Sequence, residues 1–67
     1  MTDFRHKVIF EHVVGLLKTP AALVVRLDGT DVVVPDGQID DDSEVWRAGD
    51  EGKLVVSEWW AIERRLV

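Results

Sequence analysis

The sequence predicts a mainly β fold: a small antiparallel meander or barrel, SH3-like or OB-like, with four to five strands and one short C-terminal helix. Three observations carry this. Twelve of the 67 residues are Val, whose side chain is stiff at χ1 and fits a pleated surface. Turn chemistry, "KTP", "DGT", "PDG" and "GDEG", separates apolar runs of strand length. The best-marked helix is at the C-terminal end, where Glu58 and the Arg64–Arg65 pair suit the two poles of a helix dipole.

The first element is "HKVIFEHVVGLL", 6–17. Period two puts Val8, Phe10, Val14 and Leu16 on one face with His6 and His12. Ile9, Val13 and Leu17 then share the other face with Lys7 and Glu11. A helical stripe of Ile9, Val13, Leu16 and Leu17 is the competing pattern. Gly15 and the β-branched density favour a strand, with Gly15 marking a bulge or bend. "AALVVRL" (21–27) and "DVVV" (31–34) are the second and third strands, joined by a tight Asp28–Gly29 hairpin turn. Segment 35–52 carries seven acidic residues against one Arg, with Ile39, Val45 and Trp46 as anchors to the core. "KLVVS" (53–57) is the last strand, and Ser57 is placed to cap a helix over 58–65. Trp59, Ile62 and Leu66 fall at i, i+3 and i+7, which predicts a buried Trp59 and a more exposed Trp60. No linker or repeat divides the chain, so 1–67 reads as one domain.

Composition limits the function. There is no Cys, hence no disulfide and no thiolate metal site. A net charge of −5 argues against general binding to phosphate backbones. No apolar run reaches membrane-spanning length and the first ten residues lack signal-peptide features, so a cytoplasmic location is expected. Ser and Thr residues sit in turns or near the termini without nucleophile-elbow glycines, and no glycine loop opens a helix. The expectation is a non-enzymatic protein without a cofactor. "DGQIDDDSE" fails the ligand spacing of a Ca²⁺ loop. His6 and His12 would lie roughly 20 Å apart along a strand, too far to share a metal.

Charge density therefore selects the candidate site. Asp36, Asp40, Asp41, Asp42 and Glu44, with Trp46 or Trp60 as an apolar anchor, are expected to contact a basic partner protein. The rival surface is Trp60 with Arg64 and Arg65. A second reading is a small nucleic-acid- or nucleotide-binding barrel, using Phe4, Arg5, Lys7, Trp60, Arg64 and Arg65 as a stacking and basic cluster. A third is a structural or assembly component. The apolar content of both faces of 6–17 also predicts a homodimer, through Ile9, Val13 and Leu17 or through the opposite face.

"DGTDVVVPDGQI" and "DDDSEVWRAGDEGKLVVSEWWAIERRLV" resemble a group of small phage- and prophage-borne proteins. Their pattern is a DGxxxWxPKSQI-like hairpin, a DDSEV turn, a GDEG turn, a strand and an EWxA helix that ends in Gly-Leu. Asp28, Gly29, Pro35, Gln38, Ile39, Asp41 to Val45, Gly49 to Gly52, Glu58, Trp59, Ala61 and Leu66 match it. Val33 stands in place of the strand Trp, Asp36–Gly37 in place of Lys-Ser, and Arg65 in place of the Gly. The resemblance implies a phage setting and a factor that binds and blocks host machinery, such as a CRISPR defence or a nucleic-acid-handling complex.

Overall fold

A computed structural model describes residues 6–66. Phe4 and Arg5, members of the expected stacking cluster, lie outside the described residues. The fold is mainly β. Strands β1 (Lys7–Lys18), β2 (Ala22–Leu27), β3 (Thr30–Pro35) and β4 (Glu51–Ser57) form one antiparallel sheet in the order β3-β2-β1-β4. Helix α1 (Glu58–Glu63) follows β4 directly.

Local chemistry sets the meander. Asp28 and Gly29 both take positive φ, 55° and 83°, and Leu27 pairs with Thr30. This is the two-residue turn whose twist matches its strands. Thr19 closes the β1–β2 turn: its N–H donates to the Ala22 carbonyl and its hydroxyl accepts from the Ala22 N–H.

β1 changes phase along its length. Val8 and Phe10 pack against the core, and so does Val13, three residues on. The register shifts between Phe10 and Val13, where His12 has φ 58°. This bulge corrects the uniform period-two expectation, because one extra residue moves every later side chain to the other face. A second bulge lies between Gly15 and Leu17, as Gly15 suggested. Gly15 is also a point of close approach. Its N–H donates to the Asp50 carbonyl, and its own carbonyl accepts from the Gly49 N–H. A Cβ here would stand 2.1 Å from the Arg47 carbonyl oxygen.

The core joins Leu23 and Val25 of β2, Val32 and Val34 of β3, Leu54 and Val56 of β4, and Val13, Ile39, Val45, Trp60 and Ala61. Ile39 and Val45 anchor the acidic segment as expected, whereas Trp46 stays partly exposed.

The tryptophan expectation is reversed. Trp60 is 6% exposed and Trp59 56%. Ile62 is exposed as well. The reason is where the helix ends. The Leu66 N–H donates to the Ala61 carbonyl and the Arg65 N–H to the Ile62 carbonyl, with Arg65 at φ 60°. This Schellman closure turns Leu66 back toward Ala61. Leu66 therefore lies beyond the helix and cannot set its phase. Ser57 makes no capping bond. Its hydroxyl instead lies 2.5 Å from Gln38 Oε1. Arg64 and Arg65 lie past the last helical turn.

Of the three residues expected at a β1 dimer interface, the structure withdraws one. Val13 is fully buried, and β1 pairs with β4 over Lys7–Val14 and with β2 over Val14–Lys18, whereas Ile9 and Leu17 are exposed.

Candidate partner-binding surface

The acidic segment is built as a border for β4. After β3, a single 3-10 turn (Asp36–Gln38) carries the chain across the core to the outer edge of β4, where Ile39 bridges Val56. An edge strand presents unpaired N–H and C=O groups that need covering. Here side chains share that task. The Ser43 hydroxyl accepts from the Val55 N–H (2.8 Å) and lies 3.0 Å from the Val55 carbonyl, which also accepts from the Asp40 N–H. Glu44 Oε1 accepts from the Lys53 N–H, and the Glu44 N–H donates to the Lys53 carbonyl. The "DDDSE" run thus acts in part as a strand substitute.

The expected site residues divide by task. Asp36 pairs with Lys18 at 2.9 Å, and Asp40 with Lys7 at 2.5 Å. Asp40 Oδ2 also accepts the Asp42 N–H. The Lys7 contact, aided by that N–H, holds the Asp40 carboxyl below its ordinary pKa, and the same contact raises Lys7. Asp50 accepts the Trp46 and Arg47 N–H groups, which hold its carboxyl below the ordinary value. Glu44 is engaged with Lys53. That leaves Asp41 and Asp42 at an exposed turn, their side chains without a hydrogen bond or ion pair among the described residues. Trp46, 37% exposed, follows on the same segment, its indole N–H held by the Ser43 carbonyl. Trp60, expected as an alternative anchor, has little surface to offer and lies under the Arg64 guanidinium, 5.8 Å from the ring centroid.

Sequence reasoning missed two apolar surfaces. Trp59 and Ile62 are neighbours on the exposed side of α1. Leu17, Val24 and Val33 are cross-strand partners in one row over β1, β2 and β3. The hairpin turn held a signal for part of this row, since pairing Leu27 with Thr30 places Val24 opposite Val33.

No group of three or more metal-ligating side chains converges among the described residues. No helix there is long and apolar enough to cross a membrane. Comparison with protein-family models, curated proteins and solved structures gives no match.

Proposed function

We propose that this chain is a non-enzymatic protein-binding factor that offers its acidic β4 border to a basic partner. The observation that carries the reading is the pinning of segment 39–50. Backbone and side-chain bonds to β4 and to Gly15 hold it against the sheet, so Asp41 and Asp42 project from a fixed ridge rather than a loose loop. Fixed charges speed encounter and select complementary surfaces without a large ordering cost. Trp46 beside them is the apolar anchor. Inhibition of a host defence such as CRISPR, or of a nucleic-acid-handling complex, is the form suggested by the phage resemblance, in the host-cell cytoplasm.

Direct nucleic-acid binding is the weaker reading. Lys7, Lys18 and Arg26 are tied to Asp40, Asp36 and Asp31, and Trp60 is buried. The test is affinity capture from a host lysate, followed by binding of the purified partner to the parent and to Asp41→Lys/Asp42→Lys. The double variant spares the Lys7–Asp40 pair. Loss of binding with an intact far-UV spectrum is expected, together with strong weakening of parent binding by salt. Equal binding by the variant, or tight binding of the parent to oligonucleotides at low salt, would overturn the proposal.

A further inference from the structure

The two outer edges of the sheet are unlike. That of β4 is covered by the acidic segment, whereas that of β3 has no strand partner among the described residues. In the β2–β3 ladder the hairpin turn makes Leu27 and Thr30 the first hydrogen-bonded pair. Alternation then turns the N–H and C=O of Asp31 and Val33, and the C=O of Pro35, away from β2. No backbone bond reaches these groups from elsewhere among the described residues. Beside the edge runs a groove of about 500 Å³, lined by Thr30–Val33 and by Glu63–Leu66. Arg64 and Arg65 border it, and neither is in an ion pair among the described residues. On the outer sheet face the row Leu17–Val24–Val33 runs up to this edge, with Leu17 56% and Val33 48% exposed.

We infer that the β3 edge docks a second copy of this chain, strand to strand, about a two-fold axis at Val33. The edge is self-complementary in that register. Val33 of each copy exchanges both backbone bonds with the other, and the Asp31 N–H meets the Pro35 carbonyl of the second copy. Pro35 has no N–H, so it is accommodated at the end of the pairing and not at its middle. The two apolar rows then join into one that crosses both sheets. Charge favours the same arrangement. Although the chain carries −5, Asp31 at this edge is already paired with Arg26, Asp41 and Asp42 lie on the β4 side, and the one carboxylate lining the groove from the C-terminal segment, Glu63, is outnumbered there by Arg64 and Arg65. Antiparallel pairing places Asp36 of the second copy opposite Thr30, on the side where Arg64 and Arg65 line the groove. Both acidic ridges are left at the far ends of the joined sheet.

Sedimentation velocity of the parent, from micromolar to submillimolar concentration, should show a monomer giving way to a dimer. Val33→Lys sets two like charges opposite each other and should raise the midpoint concentration at least about tenfold. Ile9→Lys, at an exposed β1 position away from this edge, should leave it unchanged. Hydrogen exchange on the parent supplies a readout that needs no variant: the Val33 amide should gain protection as the dimer fills. A parent that stays monomeric throughout, a dimer unaffected by Val33→Lys, a dimer abolished by Ile9→Lys, or a Val33 amide whose exchange ignores concentration would each overturn the inference.

Discussion

Replacing Trp60 should strip the domain of a large share of its stability, whereas replacing its neighbour should hardly register. Trp60 is 6% exposed and packed in the same cluster as Val32, Leu54 and Val56. Truncating a buried Trp to Ala removes its transfer free energy and leaves a cavity, together about 3–5 kcal/mol. At roughly 0.05–0.15 kcal/mol per residue, a chain of this length holds about 3–10 kcal/mol in total. Trp60→Ala thus removes a large share of the stability, and with it the ring under Arg64. Trp59, at 56% exposure, makes no such contribution. Its replacement should stay within about 0.5 kcal/mol. Thermal melts followed by far-UV circular dichroism separate the two. With about 4–8 °C per kcal/mol for a domain of this size, Trp60→Ala should lower Tm by at least about 12 °C and Trp59→Ala by less than about 4 °C. The opposite order, with Trp59→Ala unfolded and Trp60→Ala native-like, would refute the helix phase and the Schellman closure that sets it.

Ser43→Ala leaves the Val55 N–H without its partner at a buried position, and should cost about 1–3 kcal/mol in urea unfolding; an unchanged midpoint would show that the side chain does not seal the β4 edge. Arg65→Gly should raise Tm, because Arg65 sits at φ 60°, where a side chain costs roughly 1–2 kcal/mol relative to Gly; the same melts check it. Asp40 and Asp50 have folded-state pKa values below 3.8. Their contribution to stability is therefore present above that value and is lost as pH falls through the folded values. Lys7 is the mirror case: raised above 10.5, it contributes below that value and loses its effect as pH rises through the folded one. NMR titration should find both carboxyls below 3.8, and Asp50→Asn should flatten the acid limb of the stability curve; an unshifted Asp50 would show that it does not hold the Trp46 and Arg47 amides.

Much of the fold was legible because its causes are local. Val-rich runs, the Asp28–Gly29 turn and the apolar anchors Ile39 and Val45 each act over a few residues, and these define the meander and its register at β2–β3. The acidic segment could be read as charge but not as a border, since its role depends on β4 lying beside it. Ser43 and Glu44 carry no mark in sequence of the backbone groups they meet. The sequence by itself determined which segments are strands and where the charge accumulates. Only the tertiary structure decided which Trp is buried and which face β1 presents after His12. Those outcomes depend on one-residue changes of phase at a bulge and at a helix end. In the strand such a change reverses every side chain beyond it, and both changes are fixed by what packs against the chain from far away in sequence.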